Sequence, residues 1–278
     1  MLKLSYVDDR HHCDRLSDAQ IALEKLKEFG AILIDRVGDV EDFISFTNNS
    51  TFSFRPYVGS GVPRLAVNED PTIMNVNSPG DFGGSSLHGE QYYLSRPPEV
   101  LYFYCQKKAL VGGHTLLCKG DEILSALPSV LAHRFETQQI TYVRELSVPD
   151  IGLMQIDDPK SLTDWKMSPA QNGRIKTEFT TTAIKVTPDG RRNFINSILP
   201  ILFDFEDARP MMKVRFEDGT WCDKLMGKEI LDATRTCQAS MQLQEGQVLV
   251  VDNRWMLHGR TPFQGHRSML TRMAEFPY

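Results

Sequence analysis

Ser86-Leu87-His88-Gly89-Glu90 is the stretch from which the rest of the chain can be read. His88 and Glu90 stand two apart, so on an extended backbone both side chains leave the same face of a sheet. A second histidine lies far downstream, in Asp252-Asn253-Arg254-Trp255-Met256-Leu257-His258-Gly259-Arg260. Brought in on a distant strand, His258 would complete two imidazoles and one carboxylate on a single face. That set holds a non-haem Fe(II) and leaves the opposite coordination positions open for substrate and O2. Taken alone, H-x-E is a short spacing that recurs by chance in exposed pairs, and a single histidine in an apolar strand is an ordinary core residue. The remainder of the chain separates these readings.

Working outward from His88, residues 50–86 are rich in Ser, Pro, Gly and Asn and show no apolar period. Irregular stretches of this length are usually functional or mobile, so the segment is expected to form a lid or wall of the site. Upstream, a helix opening at Ser17 and closing at Gly30, a strand at 31–35 and a second helix at 40–46 carry no catalytic signature. Downstream the pattern turns to short strands: 100–105, 114–118, 140–143, 179–186, 193–199, 211–216, 248–252 and 269–276. Helical inserts are expected from 121 and from 229. Many short strands broken by Gly, Pro, Asp and Asn predict a mainly β sandwich or barrel. No repeat and no compositional break divides the 278 residues, which read as one domain.

Composition narrows the function. A net charge of −5 argues against a surface built for nucleic acid, and no apolar run approaches a membrane span. Five scattered cysteines without C-x-x-C read as reduced thiols, and with an N-terminus that is acidic rather than signal-like they predict a cytoplasmic protein.

Three motifs in order then carry a resemblance: His88-x-Glu90; Gly112-Gly113-His114-Thr115; and Asp252-Asn253-Arg254 followed by His258-Gly259-Arg260-x-Pro262-Phe263-x-Gly265-x-Arg267. The chain resembles the TauD/TfdA superfamily of Fe(II)- and 2-oxoglutarate-dependent dioxygenases from the first helix to the C-terminus. The resemblance implies a double-stranded β-helix, a cupin-like jelly roll with flanking α-helices. It also implies Fe(II) on His88, Glu90 and His258, with 2-oxoglutarate and O2 as cosubstrates. The Thr115 hydroxyl would hold 2-oxoglutarate. Glu90 stands where most of the family has Asp and matches the clavaminate-synthase-like branch. Arg267 and Arg272 lie nine and fourteen residues beyond His258, and either could supply the bidentate, permanently charged partner of the 2-oxoglutarate carboxylate. The Gly265-His266-Arg267 context favours Arg267, which leaves Arg272 for a substrate carboxylate. The two differ by an odd number, so a regular strand would put them on opposite faces unless a bulge intervenes.

Asn75, Asn77, Gln91 and Tyr92 flank the first motif as substrate candidates. His114 is expected to face away from Thr115, His11-His12 to be inert, and Asn196 to make a structural hydrogen bond. The expected function is hydroxylation of a small amino acid or amino-acid derivative in specialised biosynthesis, the substrate being free or tethered to a carrier protein. Desaturation by the same chemistry is the alternative within the class, and a non-catalytic jelly-roll binding module the alternative outside it. An intact carboxylate ligand disfavours halogenation, which needs a vacancy for halide.

Overall fold

The computed structural model describes residues 17–35, 37–57, 66–76, 82–147, 165–204 and 211–277. Two antiparallel sheets face each other. The larger runs in the order 31–34, 248–252, 100–107, 268–275, 70–75, 66–67, with Ser53–Arg55 pairing the far end of Ser268–Glu275. The smaller runs Ala239–Met241, Thr115–Lys119, Met256–Arg260, Ser85–His88. Leu101, Phe103, Cys105, Leu249, Val251, Met269 and Met273 from the first sheet meet Leu117, Ala239 and Met256 from the second in one buried cluster. This is the β-sandwich core of a jelly roll.

The central strands read as continuous apolar runs because both of their faces are covered. On the outer face of the larger sheet, Val100, Tyr102, Tyr104, Val248, Val250 and Leu270 pack against Leu23, Leu26 and Phe43 of two N-terminal helices. Those helices span Ser17–Phe29 and Val40–Asn48, the second opened by a reciprocal capping box between Asp39 and Asp42. A third sheet, ordered 165–169, 175–181, 140–146, 211–216, covers the outside of the smaller sheet together with helices Gly120–Ala126, Ser129–Thr137, Ile198–Phe203 and Lys224–Cys237.

Three expectations change. The segment 50–86 is not irregular throughout: Asp70–Asn75 is a strand paired with Leu270–Arg272. It shows no alternation because Ile73 is buried against the helices while Met74 is buried in the sandwich. Ser53–Arg55, Ala66–Val67 and Ser85–His88 are strands as well, and of the expected lid, residues 58–65 and 77–81 lie outside the described residues. The expected strand at 193–199 is a strand only over Arg192–Phe194, followed by the Ile198–Phe203 helix. There the Asn196 side chain accepts the Ile198 N–H and Ser197 Oγ donates to the Gly89 carbonyl, so side chains end the ladder. The run expected over 179–186 is two strands, Ile175–Thr181 and Ile184–Val186, in different sheets.

Candidate active site

Register brings the distant motifs together. His258 lies opposite His88 on one side and opposite Leu117 on the other, and Arg260 lies opposite Thr115. Cross-strand partners share a face, and Leu117 belongs to the sandwich interior, so His88, His258, Thr115 and Arg260 all point inward. Glu90 follows on the turn that leaves the His88 strand. The ligand atoms of His88, Glu90 and His258 lie within 4.8 Å of one another. Glu90 Oε2 is 3.9 Å from His88 Nε2 and 3.7 Å from His258 Nε2. Phe103 of the facing sheet packs its ring 5.1 Å from that of His258.

Each ligand is held by its surroundings. The Ser86 carbonyl sits 2.8 Å from His88 Nδ1. A carbonyl only accepts, so the proton belongs on Nδ1 and the Nε2 lone pair is turned toward the other ligands. Burial works to lower the His88 pKa, but the hydrogen bond and charge of Glu90, with the Ser86 carbonyl, outweigh it and raise the pKa above its ordinary value. Ser86 is itself fixed, its N–H and hydroxyl both donating to Asp204 at 2.7 Å. Asn253 is wholly buried and grips the Glu90 backbone from both sides: its Oδ1 accepts the Glu90 N–H at 2.8 Å and its Nδ2 donates to the Glu90 carbonyl at 3.1 Å. Between the two ligands only glycine fits, because a Cβ on Gly89 would stand 2.5 Å from the Tyr92 ring and 2.8 Å from Ile195.

The other motif residues sort by face. Thr115 is buried on the inner side, after the Gly112-Gly113 turn, in which both glycines have positive φ. Arg267 runs past Gly113, where an added Cβ would meet its Cδ at 3.2 Å. Its charge opposes the burial that pushes the inward-facing Cys105 thiol up to about 11. Arg267 therefore lies on the Thr115 side of the sheet. The strand irregularity between Ser268 and Met269 is the bulge the spacing calls for, but it does not bring both arginines inward. Arg272 points to the helix-covered face. There it donates to Thr47 Oγ1 at 2.6 Å, Asn48 Oδ1 at 2.7 Å and Thr72 Oγ1 at 3.0 Å, approaches Asp70 at 3.5 Å and stacks 3.7 Å over Phe54. The expectation that it binds cosubstrate or substrate is corrected by this placement.

Among the substrate candidates, Asn75 lies opposite Leu270 and shares the outer face with Ile73, away from the iron ligands. Tyr92 is packed in the core, and its hydroxyl donates to the Asn253 carbonyl at 2.9 Å. Gln91 is buried in the turn beside Glu90, at φ 60°. Asn77 and His11-His12 lie outside the described residues. His114 faces away from Thr115, toward the Ser240 hydroxyl, and Asn196 makes structural hydrogen bonds, as expected. Asn253 and Arg260 stand in the quoted motifs without an expected role. Arg260 donates from Nε and Nη2 to the Gly83 carbonyl, at 3.2 and 2.7 Å, tying the approach to His88 onto the His258 strand. Their signal was their position within the third motif, whereas the Ser86–Asp204 support left no local trace.

The donor set fits iron: two imidazoles, one with its tautomer fixed for coordination, and one carboxylate, with Glu90 and His258 buried and His88 half-buried. A sequence model of the taurine catabolism dioxygenase TauD, TfdA family matches residues 11–274. A clavaminate synthase-like protein of Arabidopsis thaliana is 26% identical over 285 residues, covering 90% of this chain and 83% of its own. A taurine dioxygenase from Burkholderia xenovorans superposes with TM-score 0.57 at 13% identity, covering 95% of this chain and 81% of its own. PvcB from Pseudomonas aeruginosa superposes with TM-score 0.57 at 12% identity, covering 93% and 80%. A further PvcB structure, with TM-score 0.51 at 11% identity and covering 93% and 80%, is described as that of an Fe, α-ketoglutarate dependent oxygenase from an isonitrile synthetic pathway. With a family match over almost its whole length and the ligand triad assembled, the chain belongs to the TauD/TfdA family and is a dioxygenase of the Fe(II)- and 2-oxoglutarate-dependent kind.

Proposed function

We propose that the protein oxygenates a small amino acid or amino-acid-derived metabolite, free or carrier-tethered, by hydroxylation of an unactivated C–H bond. The observation that supports this reading is the assembled set of iron ligands with Thr115 and Arg267 on the same inner side, a hydroxyl and a guanidinium suited to a carboxylate cosubstrate. With Fe(II) bound, 2-oxoglutarate and O2 become succinate and CO2, one oxygen atom going to succinate and the other to substrate. The chain's own part is positioning. His88, Glu90 and His258 would hold the metal, and the Thr115 hydroxyl with the Arg267 fork would hold the distal carboxylate of 2-oxoglutarate. Phe103 walls the ligand side with an apolar ring. Desaturation is the second reading. The same oxidant demand then yields an alkene and water, and the likeness to PvcB supports a place in specialised biosynthesis. We place the enzyme in the cytoplasm, acting on a small molecule rather than on nucleic acid or a membrane. The scattered cysteines without C-x-x-C and the negative net charge support this, and among the described residues no helix is long and apolar enough to cross a membrane.

The test is substrate-dependent succinate formation across amino acids and their derivatives, with product mass recorded. A gain of one oxygen marks hydroxylation and a loss of two hydrogens marks desaturation. His258→Ala should abolish both Fe(II) retention and turnover. Arg267→Ala should weaken 2-oxoglutarate by on the order of 2–5 kcal/mol, about 30- to several-thousand-fold, and Arg267→Lys by less. Turnover by His258→Ala at the wild-type rate, or an Arg267→Ala enzyme with unchanged 2-oxoglutarate affinity, would refute these assignments.

A further inference from the structure

Cys118 and Cys237 stand as thiols with their Sγ atoms 3.0 Å apart, although 119 positions separate them in the chain. Register explains the meeting. Helix Lys224–Cys237 ends at Cys237, and two residues later Ala239–Met241 joins the edge of the smaller sheet, with Ala239 opposite Leu117 and Met241 opposite Thr115. The chain therefore leaves the helix beside the Thr115–Lys119 strand. Leu117 of that strand faces the sandwich interior, and Cys118, one residue on, faces the cluster against which the helix packs. The two sulfurs differ in access: Cys118 is wholly buried and Cys237 half-buried. They also differ in acidity. The hydrogen bond from Cys118 holds the Cys237 thiol below its ordinary value, against burial, while that bond and burial push the Cys118 thiol up. Burial pushes the Cys105 thiol up to about 11 and the Cys222 thiol up to about 12. The thiolate is the reactive form, so reactivity falls on Cys237.

We propose that Cys237 and Cys118 are a redox-active pair, which a hydroperoxide converts into an intramolecular disulfide stapling helix Lys224–Cys237 to the strand that carries Thr115. Cys237, the more accessible, reacts first. Its thiolate attacks one oxygen of hydrogen peroxide; an S–O bond forms as the O–O bond breaks, and the departing hydroxide takes up a proton as water. The sulfenic acid so formed lies against Cys118. The Cys118 sulfur attacks the Cys237 sulfur; an S–S bond forms as the S–O bond breaks, and hydroxide leaves with the Cys118 proton as a second water. Two thiols give up two electrons and one peroxide accepts them. A dithiol reverses the bond by exchange. Burial shields Cys118 from the peroxide, and its proximity lets it close the bond before Cys237 is oxidised further. The bond would close a loop spanning 119 positions, which restricts the unfolded chain and so stabilises the fold. It would also pin the end of Ala239–Met241, an edge strand of the smaller sheet.

The test treats the full chain, stripped of metal by a chelator so that iron does not consume the oxidant, with hydrogen peroxide. Intact mass should fall by two hydrogens, and peptide mapping after alkylation should join the Cys118 and Cys237 peptides. The oxidised protein should melt about 5–10 °C above the reduced one, and dithiothreitol should restore the lower Tm. Amide exchange in Ala239–Met241 should slow on oxidation. Cys237→Ser, a near-isosteric change at a half-buried position, should lose both the cross-link and the Tm rise. Cys118→Ala should leave a Cys237 sulfenic acid that dimedone traps. Dimedone added to wild type during oxidation gives the same adduct if that buried substitution prevents folding. Oxygen added at Cys237 without loss of two hydrogens overturns the proposal, as does protein left unchanged by peroxide. A bond to another cysteine or to a second chain, or a cross-link that leaves Tm where it was, overturns it as well.

Discussion

Arg272 and Arg267 are five residues apart and do opposite work. Arg267 passes Gly113 on the inner side, and Arg272 is committed on the outer side to Thr47, Asn48, Thr72 and Asp70. Arg272 thus ties the Val40–Asn48 helix to two neighbouring strands at the edge of the larger sheet. Arg272→Ala removes a buried cation that four neighbours are arranged to satisfy. It should lower stability by on the order of 3 kcal/mol while leaving the KM for 2-oxoglutarate unchanged. Thermal unfolding and cosubstrate kinetics on the same variant check this; a large rise in that KM without a drop in Tm would reverse the roles. Asn253 acts at the same scale on the catalytic side. It touches no reacting atom but fixes both backbone groups of Glu90, and its Nδ2 also donates to the Pro98 carbonyl at 2.7 Å.

At the scale of elements, the turn between the Val100–Lys107 and Thr115–Lys119 strands sets where the Thr115 hydroxyl points. Val111-Gly112 pairs with Phe263-Gln264, so this turn is braced by the loop that follows His258. Gly112 has φ 70°, and a Cβ there would stand 2.1 Å from the Pro262 carbonyl oxygen. Gly112→Ala therefore combines a left-handed backbone, about 1–3 kcal/mol, with a contact that only displacement of the turn relieves. The expected result is a lower Tm together with weaker 2-oxoglutarate binding, because Thr115 shifts with the turn. Titration of 2-oxoglutarate into the Gly112→Ala protein checks it, and a variant that loses stability but keeps cosubstrate affinity would uncouple the turn from the site.

Across the whole molecule, the iron ligands come from distant parts of the chain and meet because Ser85–His88 pairs with Met256–Arg260. A metal held by all three stabilises that closure by an amount set by concentration, about 2.7 kcal/mol at one hundred times Kd. The pH dependence has two opposing signs. In metal-free protein the raised His88 pKa means the folded state holds its proton more tightly than the unfolded chain. That contribution is fully present below the ordinary histidine pKa of about 6.5 and is lost as pH rises through the folded value. Metal must displace the same proton, so its affinity grows with pH over the same window. Unfolding curves from pH 6 to 8, with and without a divalent metal under anaerobic conditions, should show the metal increment in Tm widening with pH. An increment that narrows with rising pH would contradict the proton–metal competition. The chain itself, without any fold, determined the ligand set His88, Glu90 and His258 and the Gly-Gly-x-Thr turn as short motifs, but not how Glu90 is presented: the strand ends at His88, and Glu90 reaches the site from the following turn rather than by strand alternation. It also determined that the core would be β. What only tertiary structure decided was the choice of face and of partner. Arg272 turned outward through sheet register, Asp70–Asn75 became a strand because both of its faces are covered, and Asn193–Leu199 broke into strand and helix where side chains took over the backbone bonds.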